Sequence, residues 1–91
     1  MSTFELKISS PDGTVFDGQL VSLSVRGIEG DLAILAGHIP VVTTVAECDC
    51  KLLFEDGEEK TGHIGGGILS VADNKVTLLS SSFTWNKGEK Q

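Results

Sequence analysis

The chain is short of basic charge, cysteine and long apolar runs, and each shortage excludes something. Lys plus Arg number 7 against 13 Asp plus Glu, a formal net charge of −6 over 91 residues. A nucleic-acid surface needs clustered cations to displace the counterions of the phosphate backbone, so nucleic acid is not an expected partner. An acidic surface favours solubility and basic protein partners instead. Cys48 and Cys50 are the two cysteines. They are too few for a disulfide framework and read as reduced thiols in small packing positions. The longest uncharged stretch, Leu32 to Ala46, contains Gly37, His38 and Pro40. A spanning helix wants about 20 apolar residues, and no apolar run of signal-peptide length follows Met1. The chain is expected to be soluble by itself, with any membrane relation arising through a complex.

Chemistry-bearing motifs are also missing. Gly65-Gly66-Gly67 is followed by Ile68-Leu69-Ser70, not by the helix with Lys and Ser or Thr that a phosphate cradle needs. It reads as a flexed strand that another backbone or side chain approaches closely. His38 and His63 have no nucleophile at a recognisable spacing, and there is no Gly-x-Ser-x-Gly elbow. Glu55-Asp56-Gly57-Glu58-Glu59 lacks the alternating acids and closing Glu of a calcium loop and reads as a solvated hairpin tip. Asp12 and Asp17 are turn acids with no visible carboxylate partner. Cys48 and Cys50, two apart on a strand, share a face but make only half a zinc site, with His63 as the sole helper. No catalytic, cofactor-binding or metal-ligating residue is assigned, and no small-molecule substrate is expected. A free-standing metal- or ligand-binding module using Cys48, Cys50 and His63 stands as the alternative reading.

What the chain does have is a period of two. Phe4, Leu6 and Ile8 alternate with polar neighbours, as do Val21, Leu23 and Val25, and both patterns describe half-buried strands. Ser10-Pro11-Asp12-Gly13 is a strong turn. Strands are expected over 14–16 and 19–26, with Gly18 as a bulge or kink between them. Further strands are expected over 32–35, 41–45, 51–54, 60–64, 68–71 and 76–79, with turns at Asp56-Gly57 and Asp73-Asn74. Short strands with turn signals every eight to twelve residues predict an all-β, two-sheet flattened sandwich or barrel with no long helix. One domain is expected over 1–82, with a short polar tail over 83–91. Trp85 is read as an anchor of that tail against the sandwich. At 9.6 kDa, size scaling gives about 5,100 Å² of accessible surface against about 13,900 Å² unfolded, enough for one thin core.

One strip departs from strict alternation. Val41-Val42-Thr43-Thr44-Val45 carries apolar groups on both faces, next to His38, Ile39 and Pro40. A small two-layer sandwich has little room to bury both faces, so one is expected to meet a partner.

Three blocks carry a family resemblance. Phe4-x-Leu6-x-Ile8-x-x-Pro11-Asp12-Gly13 with Phe16-x-Gly18 resembles the opening of the epsilon subunit of F-type ATP synthases. Gly27-Ile28-Glu29-Gly30-Asp31-Leu32-Ala33-Ile34-Leu35-Ala36-Gly37-His38-Ile39-Pro40 is similar to that family's central signature. Gly66-Gly67-Ile68-Leu69-x-Val71 and Val76-Thr77-x-Leu79 resemble its closing strands.

The resemblance implies a ten-stranded sandwich and a non-catalytic rotor subunit of the central stalk. Such a subunit binds the gamma subunit, rests on the c-subunit ring, and transmits ion-driven torque without chemistry of its own. It would be peripheral to the membrane through the complex, on the cytoplasmic face of a bacterial inner membrane or its organellar equivalent. The resemblance assigns Glu29, Gly30 and Asp31 to the c-ring contact, where acids complement basic loop groups. It assigns Ser10, His38, Ile39, Pro40, Val41, Val42, Thr43 and Ser81 to the gamma-facing surface, with the two serines near the same edge. Ala36, Ile39, Cys48 and Ser81 depart from the usual residues, leaving the 46–50 loop less defined. Many relatives continue into two antiparallel helices that restrain ATP hydrolysis. Residues 80–91 are too short and unpatterned for such a hairpin, so no inhibition or ATP binding of that kind is expected.

Overall fold

The alternation becomes ten strands. The computed structural model describes residues 2–27, 30–37 and 39–86. In chain order the strands are β1 (Phe4–Ser10), β2 (Gly13–Leu20), β3 (Ser22–Gly27), β4 (Gly30–Leu35), β5 (Val41–Val45), β6 (Cys48–Leu53), β7 (Glu59–Ile64), β8 (Gly67–Ala72), β9 (Lys75–Ser80) and β10 (Phe83–Trp85). No helix occurs among the described residues. The accessible surface is 5266 Å², close to the size-scaling expectation.

Hydrogen bonding follows the order β10-β7-β6-β3-β5-β8-β9-β1-β2, with β4 pairing β3 off that path. Strands β3 and β5 meet at one register pair, Gly27 opposite Val45, and there the path folds over into two layers. Strands β10, β7, β6, β3 and β4 form one sheet; β5, β8, β9, β1 and β2 form the other. Leu23, Ile34, Leu52 and Ile64 of the first meet Leu6, Ile8, Leu69 and Leu78 of the second, all fully buried. Burying each such side chain is worth about 1.5–3 kcal/mol. Strand β1 lies between β2 and β9, antiparallel to the first and parallel to the second.

Two connections cross between the layers side by side. Residues 64–67 lead from β7 to β8, and 80–83 lead from β9 to β10. They are bound by Gly65 N–H to Ser82 O (3.1 Å) and Ser81 N–H to Gly66 O (3.0 Å). Buried Ser80 donates its hydroxyl to Ser82 O, which answers its need for a partner. The Gly-rich run is the close approach the sequence implied. A Cβ on Gly67 would run into the Leu79 carbonyl oxygen.

Aromatic rings close the other seam. Phe16 of β2 stands edge-on to Phe54 (5.9 Å) and to Trp85 of β10 (6.1 Å), and Phe83 meets Trp85 at 4.9 Å. The Phe16 ring covers Gly18, and the Phe83 ring covers Gly62; an aromatic laid over a glycine restores packing the missing side chain would have given. The Lys60 ammonium lies 5.7 Å from the Phe54 and Trp85 ring centres, a cation–π cap on the exposed rim.

Four local expectations need adjusting. Gly18 pairs normally with Leu6, and the bulge falls at Val15, between the pairs Ile8–Phe16 and Ser9–Thr14. The expected 19–26 strand is broken at Val21, whose N–H bonds to Leu53 O (2.8 Å). Cys48 to Cys50 belong to β6, not to a loop. The segment expected as a tail contains β10, because Phe83 and Trp85 have an aromatic cluster to complete.

Candidate partner interface

The two sheets present unlike outer faces, because the residues left over from the shared core differ. On the sheet containing β5, β8 and β9, the outward positions are Val42 and Thr44, then Ile68 and Ser70, then Thr77 and Leu79. None is charged. Val42 is 71% exposed, Ile68 49% and Leu79 53%. Register places Ile68 directly opposite Leu79 on one side and Thr44 on the other, close enough for side chains to touch. Charge returns towards the β1–β2 side, at Lys75 at the start of β9, Glu5 and Lys7 of β1 and Asp17 of β2. A continuous uncharged, partly apolar sheet face is the kind of surface that protein partners cover. The connection from β4 to β5 continues it, with Ile39 at 74% exposure and Pro40 also exposed.

The opposite outer face is polar. Arg26 Nε donates to Asp31 Oδ1 at 3.2 Å across the β3–β4 hairpin. Both side chains are well exposed, so this pair contributes at most about 1 kcal/mol. His63 contacts Asp49 through Nδ1 (2.8 Å) and Glu47 through Nε2 (3.1 Å). Hydrogen bonds to Asp49 first and Glu47 second hold its pKa above the ordinary value. A shallow groove on this face is lined by Ser24, Arg26, Asp31, Glu47, Asp49 and Lys51, among others.

These contacts remove the metal-binding alternative. Cys48 and Cys50 face inward beside Ile64 and Gly62, whereas His63 pairs with Asp49 and faces out. A sheet therefore separates the histidine from both thiols. The two carboxylates sit on opposite nitrogens of the ring and cannot converge on one ion. No group of three His, Cys, Asp or Glu side chains able to hold a metal occurs among the described residues. Burial pushes the Cys50 thiol up to about 11, which keeps it protonated and unreactive.

The expected interface residues do not all fall together. Glu29 and His38 lie outside the described residues. Gly30 (φ 127°) and Asp31 begin β4 at an exposed hairpin end. Ile39, Pro40 and Val42 are exposed, but alternation turns Val41 and Thr43 the other way, and Val41 packs against the core. Ser10 and Ser81 lie at the end of the sheet near Val45, about 16 Å, one strand's length, from the Pro40 end, not beside it. Their hydroxyls already serve the chain: Ser10 Oγ accepts from Asp12 N–H (3.3 Å), and Ser81 Oγ donates to Gly65 O (3.1 Å). Ile68 and Leu79 are the residues the sequence reading missed. The signal was available, since Ile68-Leu69 and Leu78-Leu79 are apolar pairs that must split between the two faces of a strand.

Comparison with known proteins agrees with this architecture. The family described as ATP synthase, Delta/Epsilon chain, beta-sandwich domain matches residues 3–86. The chain is 40% identical over 83 residues to the ATP synthase epsilon chain, sodium ion specific, of Acetobacterium woodii; the match covers 91% of this chain and 62% of that protein's length. Similar solved structures include the Euglena gracilis mitochondrial ATP synthase OSCP/F1/c-ring (TM-score 0.88, 22% identity, 93% of this chain and 54% of that chain). Another is the Tetrahymena thermophila mitochondrial ATP synthase central stalk/c-ring (TM-score 0.72, 18% identity, 87% and 63%). At these identities the structures speak for the fold alone. Among the described residues no helix is long and apolar enough to cross a membrane.

Proposed function

The chain belongs to the β-sandwich family of ATP synthase delta and epsilon chains, and from that premise we propose that it is a non-catalytic rotor-stalk component that docks on the gamma subunit through the outer face of β5, β8 and β9. The observation that carries this reading is the uncharged face built by Val42, Ile68 and Leu79, in a domain whose core is already filled by other side chains. An apolar outer face has no use in a free-standing module, whereas a stalk subunit needs one greasy seat that holds register under load. Ile39 and Pro40 extend the seat at one end. The end of the β3–β4 hairpin, at Gly30 and Asp31, meets the polar loops of the c ring.

Rigidity is the mechanical requirement. Torque passes through a subunit only as far as its layers resist sliding. Side-by-side crossovers at one place and an aromatic seam at another tie the two sheets together. The chain would sit at the membrane surface through its neighbours, on the cytoplasmic face of a bacterial inner membrane or the organellar equivalent.

The test is association of the purified chain with a gamma-containing subassembly, read by co-elution and by titration. Stoichiometric binding that is lost in Ile68→Lys and retained in Lys51→Ala, on the opposite face, is the expected result. No binding by the folded wild-type chain overturns the proposal.

A further inference from the structure

The turn between β8 and β9 does more than reverse the chain. Asp73 (φ 53°) and Asn74 (φ 63°) both adopt left-handed backbone conformations, which two-residue hairpin turns demand and which Asn and Asp tolerate better than other non-glycine residues. A glycine would satisfy the backbone at position 74 more easily. Asn74 brings a side chain that a glycine lacks, and both ends of it are used. Its Oδ1 accepts from Gly37 N–H at 2.9 Å, its Nδ2 donates to Thr3 O at 2.9 Å, and its own carbonyl accepts from Glu5 N–H at 3.1 Å. One residue therefore ties three segments: the start of β1, the β8–β9 turn and the connection from β4 to β5.

We propose that Asn74 is a positioning residue for partner docking: it clamps Gly37, and through it sets where Ile39 and Pro40 stand at the end of the apolar face. This rests on the docking role of that face proposed above. Gly37 is itself left-handed (φ 81°) and exposed, so its own packing does little to fix its backbone. The Asn74 amide supplies the fixed point two residues before Ile39. Without it Gly37 loses its tie to the β8–β9 turn, and the partner must restore the docking arrangement on binding. The apparent dissociation constant then rises in inverse proportion to the fraction of molecules already in the docking arrangement.

Asn74→Gly separates this role from turn formation, because glycine keeps the backbone conformation and deletes both side-chain bonds. Asn74→Asp keeps the acceptor for Gly37 and loses the donor to Thr3. The expected result for Asn74→Gly is roughly tenfold weaker binding to a gamma-containing subassembly, with the thermal midpoint nearly unchanged and faster hydrogen exchange at the Gly37 amide. Asn74→Asp is expected to retain most of the affinity, since its Gly37 bond remains. In Ile39→Gly the loss caused by Asn74→Gly should shrink, because one of the two side chains being positioned is gone. Unchanged affinity in Asn74→Gly, with wild-type binding intact, overturns the inference. So does an equal loss in the Ile39→Gly background. Absence of binding by the wild type is a different failure and removes the docking proposal itself.

Discussion

His63 Nδ1 lies 2.8 Å from Asp49 Oδ1, its register partner across β6 and β7. On the other side of the ring, Glu47 Oε2 lies 3.1 Å from Nε2. A neutral imidazole donates from only one nitrogen, so satisfying both carboxylates requires the doubly protonated ring. The geometry and the upward pKa shift therefore agree.

That agreement fixes a pH dependence. The folded-state pKa lies above the ordinary 6.5, so the stabilisation is fully present below the unfolded value and is lost as pH rises through the folded one. Asp49→Asn should lower the ring's pKa more than Glu47→Gln. Ring-proton NMR titration of His63 checks the order. Urea midpoints compared between the slightly acid and the alkaline side should fall with pH in the wild type, and fall less in His63→Gln.

The apolar outer face makes a contrasting prediction. Val42→Lys and Leu79→Lys should leave folding within about 0.5 kcal/mol, as exposed substitutions usually do. Each should still weaken partner binding by about 1 kcal/mol or more if it lies at the buried centre of the interface. Chemical denaturation and binding titration on the same samples check both parts. Equal effects on stability and binding would count against a docking role for this face.

Gly67 offers a sharper stability test. A methyl group there meets the Leu79 carbonyl oxygen, which is backbone and cannot swing aside. Gly67→Ala should therefore destabilise by more than about 3 kcal/mol, beyond the usual range for a single substitution. Gly62→Ala meets the far edge of the Phe83 ring instead. It should cost less, displace β10 and alter Trp85 fluorescence. The urea midpoints of the two variants rank them.

The cysteines should be quiet. Cys50 is buried with its thiol raised to about 11, so a disulfide reagent at neutral pH should modify it only after unfolding, while half-buried Cys48 reacts first. Native mass spectrometry after incubation with zinc should find no stoichiometric ion.

Most of the fold was legible because the core signal repeats every second residue, and β1 obeys it from Phe4 to Ser9. The sequence failed where a residue's role depended on something distant in the chain. Cys48 and Asp49 look like loop until Ile64 and His63 pair with them. Phe83 and Trp85 look like tail until Phe16 arrives from the other sheet. The proposed docking face was legible only in part for the same reason. Val42 announced itself through local pattern, but its continuity with Ile68 and Leu79 exists only once β5, β8 and β9 are aligned. Ser10 and Ser81 carried no pattern that tells one end of a strand from the other.

The insertion of β1 between β2 and β9 sets an order of events during synthesis. β1 leaves the ribosome first and can form a hairpin with β2 at once. Its other flank must wait for a strand some seventy residues later. Until residue 79 has emerged, a growing chain holds one whole edge of its first hairpin open. Nascent chains stalled before that point should bind chaperones and resist compaction, and release just beyond it should close the molecule in one step.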